Sequence, residues 1–436
     1  MGKKSIFALA VLVIVLAFSQ NVLGQELKTN PLWTKIDQLS SEVESKCIAW
    51  RRDFHQNPEL SNREFRTAKK VAEHLLSLGL DVKTEVAHTG VVGVLRGKKG
   101  TPVIALRADM DALPVTEAVD LPFASKVRTM YEGKEVGVMH ACGHDTHTAI
   151  LMAVAEVLTK IKDELPGTVK FIFQPSEEGA PRGEEGGASL MIKHGVLESP
   201  KPDAIFGLHV IPLPTGTIWY RPGKFMASSD TLKIVIKGNQ THAAYPWEGI
   251  DPIVIASQII LGLQTIVSRQ TNLTLTPAVI TIGSIQGGER GNIIPERVKM
   301  VGTIRIFDQK IQREIHERIR KTVIMIAESG GAKAEIIIDS NSPIVFNDPG
   351  LTQKMISTLG RVAGKGKLFT VSQITSSEDF AYYQEKIPGL FITVGITPEV
   401  STGAPNHSPH FYVDERALIV GIRAMANLAV DYLASE

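Results

Sequence analysis

Two periods of apolar spacing alternate along this chain, and the points where one gives way to the other mark its elements. Residues 32–55 carry apolar positions at the helical repeat, and residues 64–78 do so again until Gly79 ends the pattern. Residues 82–95 and 102–108 read as strands, the second so apolar that it is expected to lie in a buried sheet. A helix over 146–160 and strands over 168–173 and 204–210 follow. Prolines and glycines then crowd together at Pro212, Pro214, Gly216, Pro222 and Gly223, which marks a boundary. Beyond it the order is strand 231–237, helix 251–268, strand 278–285, strand 298–307, helix 309–329 and strand 334–339. That β-α-β-β-α-β succession predicts an inserted ferredoxin-like unit. The chain then resumes with a helix over 351–359, a strand over 390–395 and a closing helix over 415–433.

The reading is therefore an α/β protein of two domains. Residues 25–223 and 342–436 build a mixed-sheet domain, and residues 224–341 are inserted into it. A length of 436 residues exceeds one ordinary core and agrees with this division. A formal net charge of +1 excludes the basic excess that a nucleic-acid partner would require. Residues 1–24 stand apart. Lys3 and Lys4 precede an apolar run over 6–18, and Val22-Leu23-Gly24 follows, which is the pattern of a secretory signal cut near Gly24 and Gln25. The run is too short to span a bilayer comfortably, so no stable membrane anchor is expected after cleavage. Export would normally favour a disulfide between the only two cysteines, Cys47 and Cys142. Cys142 is instead expected to be free, because its neighbours are metal-ligand types.

Those neighbours are Val138-Met139-His140-Ala141-Cys142-Gly143-His144-Asp145-Thr146-His147. A thiolate and imidazoles so close together suit a borderline divalent cation. Cys142 and His144 are two apart, so in extended backbone their side chains would share a face. Three apolar strands end in further donors. The first runs into Asp109-Met110-Asp111, the second into Glu177-Glu178, and the third carries His209. Strand ends are where α/β sheets place their sites. His407, in Asn406-His407-Ser408-Pro409, completes a set of five with Cys142, His144, Glu178 and His209. Five exceed one tetrahedral structural zinc. They suit two cations sharing a ligand, or one catalytic cation with neighbours.

The chemistry expected of such a site is hydrolysis by metal-activated water. Glu177 is the candidate general base beside the ligand Glu178. In the inserted unit, His242 is the candidate donor to an oxyanion, and Asn292 a candidate partner for a substrate carboxylate or carbonyl. No Gly-x-Ser-x-Gly elbow and no phosphate-binding glycine fingerprint is present.

Seven stretches now make the chain resemble a known family. They are Arg-Ala-Asp-Met-Asp-Ala-Leu-Pro (107–114), Met-His-Ala-Cys-Gly-His-Asp (139–145), Phe-Gln-Pro-Ser-Glu-Glu-Gly (173–179) and Gly-Leu-His-Val (207–210), then Thr-His-Ala-Ala-Tyr-Pro (241–246), Ser-Glu-Asp-Phe (377–380) and Asn-His-Ser-Pro (406–409). In this order they resemble the metal-dependent amidohydrolase branch of the aminoacylase and carboxypeptidase superfamily. That branch includes hippurate hydrolases, N-acyl-amino-acid amidohydrolases and plant indole-acetyl-amino-acid hydrolases. The resemblance implies a two-domain metallopeptidase-like fold with a lid domain and a dinuclear site. Manganese is the metal most expected, with zinc, cobalt or nickel as alternatives. It implies cleavage of the amide of an N-acyl amino acid such as hippurate, or of short peptides by the same site. It places Cys142, His144, Glu178, His209 and His407 on ligand positions, Glu177 on the base and His242 on the lid histidine. Asp111 falls where it would support a ligand, and His410 on a variable position. A homodimer is compatible with an exposed strand edge in the inserted unit.

Overall fold

The computed structural model describes residues 30–398 and 403–435, so the signal-like segment lies outside the described residues. The first helices are α1 (Leu32–Gln56) and α2 (Phe65–Ser77). The stretch read as one strand over 82–95 is a hairpin of β1 (Asp81–Val86) and β2 (Gly90–Arg96). Ala87 and His88 turn it with φ of 55° and 74°, left-handed values that no proline announces. Buried on both faces, β2 shows no alternation by which its start could be recognised.

The strand β3 (Val103–Asp109) is wholly buried. A small hairpin, β4 (Arg128–Tyr131) and β5 (Lys134–Gly137), was not foreseen, since it is short and exposed. Then come α3 (His144–Thr159), β6 (Thr168–Gln174), α4 (Gly187–Lys193) and β7 (Ala204–Pro214). Short strands β8 (Ile218–Tyr220) and β9 (Gly223–Met226) lead out of this layer.

The second layer holds β10 (Ser229–Lys237), β11 (Thr241–His242), α5 (Pro252–Gln270), β12 (Ala278–Gln286), β13 (Ile293–Ile294), β14 (Arg297–Ile306), α6 (Gln309–Ser329) and β15 (Lys333–Ser342). Asp251 caps α5 by accepting from the Ile253 N–H at 2.8 Å, and Asp308 caps α6 from Lys310 at 2.9 Å. The chain returns through β16 (Val345–Asn347), α7 (Pro349–Ala363), β17 (Leu368–Thr370), α8 (Ala381–Gln384), β18 (Gly389–Thr397) and α9 (Leu418–Ser435).

The main sheet has the order β1-β2-β6-β3-β7-β18-β8-β17, with β6, β3, β7 and β18 mutually parallel at its centre. One face packs α1, α3 and α9 over a large apolar core, and a second cluster under α4 and α8 covers the other. The smaller sheet runs β12-β14-β10-β15 and is antiparallel throughout. In chain order that is second, third, first, fourth, the split βαβ arrangement. Its apolar face packs under α5 and α6, with Leu232, Ile234, Ile259, Ile304 and Ile319 in its own core. The two layers meet at β9 paired with β16, and through the ion pair of Lys224 with Asp308 at 2.7 Å.

Candidate active site

The four central parallel strands deliver their carboxyl ends to one place. After β3 the chain carries Asp111, and after β6 Ser176-Glu177-Glu178. His209 lies on β7, and His407 follows β18. The Cys142 loop is stitched beside them by Leu113 and Met139, which exchange both backbone hydrogen bonds at 3.0 Å. Cys142 and His144 do not converge through a shared strand face. Cys142 is in the loop, His144 is the first residue of α3, and Gly143 turns between them with φ of 93°. A Cβ at Gly143 would sit 2.3 Å from Val210 Cγ2, so only glycine allows this approach.

Five donors meet there. Cys142 Sγ lies 3.4 Å from His209 Nε2, and His407 Nε2 lies 3.0 Å from Glu178 Oε1. His144 Nε2 is 4.0 Å from Glu178 Oε1 and 3.9 Å from Glu177 Oε2. The sets Cys142, His144 and His209, and Cys142, Glu178 and His407, each bring their donor atoms within 4.8 Å of one another. His144 Nε2 is buried with no hydrogen-bond partner among the described residues. A buried polar atom left so costs free energy unless something fills its place. Ser176 and His407 hold left-handed φ of 60° and 68°, and such strain clusters at functional sites.

The supports behind the donors explain their aim. Asp111 accepts from Ser61 Oγ at 2.7 Å and from the Glu177 and Glu178 N–H groups at 3.0 Å. Its remaining contact is His144 Nδ1 at 3.2 Å, which turns Nε2 toward the cluster. His209 Nδ1 likewise meets the Val210 carbonyl at 2.7 Å, leaving Nε2 forward. His147 spends both ring nitrogens elsewhere, on Asp109 at 2.6 Å and on the Val210 N–H at 2.9 Å, so it locks α3 to β7.

The local charge is strongly negative. Burial, with Glu178 and Glu177 beside it, pushes the Cys142 thiol well above its ordinary range. Burial opposes protonation of His144, but Asp109 and Asp111 prevail and raise it to about 10. Burial, then Glu378, Glu178 and Asp379, push Glu177 well above the usual carboxyl range. Bound divalent cations would invert this balance, giving a thiolate and neutral imidazoles as ligands.

Two further residues were given no role by the sequence reading. Arg107, fully buried on β3, donates to Asp109 at 2.6 Å, Gln174 at 2.9 Å and Asp379 at 2.9 Å, and pairs with Glu378 at 3.0 Å. It thereby pins the 374–380 loop beside Glu177, whose Oε1 accepts from the Asp379 N–H at 3.4 Å. A lone arginine inside an apolar strand was the available signal. Arg305, on β14, is half-buried and donates to Ser377 Oγ at 3.2 Å. A cavity of about 730 Å³ spans both layers here, and Arg305 is the only lysine or arginine lining it among the described residues.

His242 and Asn292 are not brought to this cavity. Both are exposed and lie side by side on the second layer, where Ala243 N–H donates to the Asn292 carbonyl at 3.1 Å. His242 Nδ1 accepts from the Ala244 N–H at 3.0 Å, so its ring is fixed locally rather than across the cleft. His410 is exposed as well. Cys47 and Cys142 are both buried and free.

The sequence profile of peptidase family M20/M25/M40 matches residues 105–431. The chain belongs to that family. It is a hydrolase of the amidohydrolase and peptidase kind, as the ordered stretches implied. It is 41% identical to N-acetylcysteine deacetylase of Bacillus subtilis over 88% of this chain and 96% of that protein. It is 40% identical to thermostable carboxypeptidase 2 of Saccharolobus solfataricus, over 90% and 96% respectively. Among solved structures, the YXEP protein of Bacillus subtilis, described as a dinuclear metal binding peptidase from the M20 family, matches with a TM-score of 0.75. The identity is 39%, covering 91% of this chain and 99% of that one.

Proposed function

We propose that this chain is an exported, metal-dependent amidohydrolase that cleaves the amide bond of N-acyl amino acids. The observation that carries the reading is the five-donor cluster with Glu177 against it and the Arg305 cation on the facing wall. Cys142, His144, Glu178, His209 and His407 fit a pair of divalent cations by number and by their mixed sulfur, nitrogen and oxygen character. The dinuclear description of the YXEP protein supports two. Manganese is the metal that the resemblance to metal-dependent amidohydrolases favours, with zinc, cobalt or nickel as alternatives; three imidazoles, a thiolate and a carboxylate are donors that such divalent ions accept.

Divalent cations held by these residues would supply a water of lowered pKa and polarise the amide carbonyl. Glu177 takes the proton from the attacking water and passes it to the leaving nitrogen. Asp111 holds His144 and the Glu177-Glu178 turn in register for that exchange. Arg305 receives the carboxylate of the amino-acid half, since a guanidinium binds a carboxylate in paired hydrogen bonds. His242 acts as oxyanion donor, with Asn292 beside it, only where their loops approach an occupied cleft.

Export rests on Lys3, Lys4 and the apolar run over 6–18, and N-terminal sequencing of the mature protein tests it. A homodimer is supported by Ile253, Val254 and Leu261, exposed on α5 beside the edge strand β12, and sedimentation tests it.

The function is tested by amino-acid release from hippurate, N-acetyl amino acids and free dipeptides, on manganese-loaded and chelated protein. Chelator-sensitive release from the acylated compounds alone is the expected result. Cleavage of the dipeptides instead moves the chain to the peptidase reading that the carboxypeptidase relative favours. Arg305→Met should raise KM roughly 10-fold or more with kcat nearly held, because a charged hydrogen bond is lost at the substrate's carboxylate.

A further inference from the structure

A second cavity, of about 250 Å³, opens far from these donors, where β1, β2 and β6 meet the turn after α4. Its apolar wall is Val86, Val92, Val94 and Val196. At its floor stands Lys170, opposite Val94 in the β2–β6 register and only 1% exposed. The ammonium donates to the carbonyls of Val196 at 2.8 Å and Glu198 at 2.6 Å. Two of its three protons are so placed, and no carboxylate forms an ion pair with it among the described residues.

A buried charge is ordinarily paired, because the interior cannot replace its hydration. The other charged groups here do not supply the partner. Asp81 pairs with Arg96 at 3.2 Å, and His194 Nδ1 is taken by the Ala87 N–H at 3.2 Å. Glu198 and Lys83 remain, both exposed and of opposite sign.

We propose that this cavity binds a small aliphatic carboxylate, its head on the Lys170 ammonium and its alkyl chain against the valines. The space is below the range of drug-sized pockets, which limits the ligand to an acid of a few carbons. Burial pulls the Lys170 ammonium down to about 8, against Glu198 and with Lys83, and an anion beside it offsets that cost. The site is independent of the hydrolytic reading.

The test is calorimetric titration of the full chain with isovalerate, in metal-loaded and chelated forms, beside isovaleramide and inorganic phosphate. Isovalerate should bind the chelated protein, and isovaleramide at least about tenfold more weakly, since it lacks the charge. Lys170→Met should remove binding. Because that variant strands two carbonyls and can fail to fold, Val94→Phe fills the cavity from β2 while leaving the ammonium. It should also abolish binding, with hydrolytic turnover unchanged. Binding that persists in both variants, equal binding of phosphate or the amide, or binding lost on chelation of the wild type, would each overturn the proposal.

Discussion

The two layers hold their candidate groups on opposite plans. On the main-sheet side the supporting side chains reach across the chain. Arg107 meets Asp379 over 272 positions, and Asp111 meets the Glu177 N–H over 66. On the second layer His242 is held by Ala244, two positions away, and stands in solvent. The first plan fixes geometry before any substrate arrives, which is what charge stabilisation in a low-dielectric site requires. The second leaves a side chain oriented but uncommitted. Donors on the preorganised main-sheet wall should fail steeply when altered, and a side chain held only locally, as His242 is, gently.

The largest effect expected is on the reaction itself. Glu177→Ala should lower turnover roughly 10²–10⁴-fold while metal content, read by elemental analysis, is unchanged. Near-wild-type turnover with full metal would remove Glu177 as the base. Next comes Asp111→Asn, which unsettles both the His144 ring and the Glu177-Glu178 turn. Metal affinity, measured by chelator competition, should weaken roughly 10–100-fold. An unchanged affinity would mean that the ligands hold themselves without this support.

The same wall rests on a buried ion pair of Arg51 and Asp145 at 2.9 Å, with His55 Nδ1 also 2.9 Å from Asp145. Burial alone would raise the Asp145 carboxyl, but Arg51 and His55 outweigh it and hold it well below the ordinary range. A depressed carboxyl contributes stability that is present above its unfolded pKa and lost as pH falls below it. Urea midpoints of the wild type should therefore drop on acidification below about pH 4. Asp145→Asn should cost about 3 kcal/mol at neutral pH and flatten that acid limb, since the buried guanidinium loses its closest carboxylate and keeps only that of Glu415, at 3.4 Å, among the described residues. A parallel acid limb in the variant would assign the loss to other groups.

The gentlest effect belongs to His242, which stands outside the cavity. His242→Ala should lower turnover, leave metal content unchanged and shift stability by less than about 0.5 kcal/mol, because the side chain is exposed. Metal loss from that variant would contradict the separation of His242 from the donor cluster.

Much of this contrast was legible beforehand, and the reason is local. The strands β3, β6 and β7 are apolar runs that end in donor residues, and the split βαβ unit shows its periods plainly. The donors themselves were named because ligand chemistry admits few residue types. The hairpin of β1 and β2 stayed hidden because β2 is buried on both faces and its turn contains no proline. Arg305 stayed hidden because one cation on an alternating strand looks like a solvated position until the facing wall is known. His147 stood in the same histidine-rich stretch with no role assigned to it, and only the fold shows that both its nitrogens are taken, by Asp109 and Val210.

What the chain by itself determined was composition at each strand end: which groups are able to bind a cation, move a proton or carry charge. Those are properties of single residues and of short-range periodicity. Which nitrogen faces the cluster, which carboxylate is a donor and which a support, and where His242 stands were decided only by tertiary contacts. The physical reason is that each of these depends on a partner tens to hundreds of positions away. Hydrogen-bond satisfaction in a buried site is settled by which groups the fold brings together.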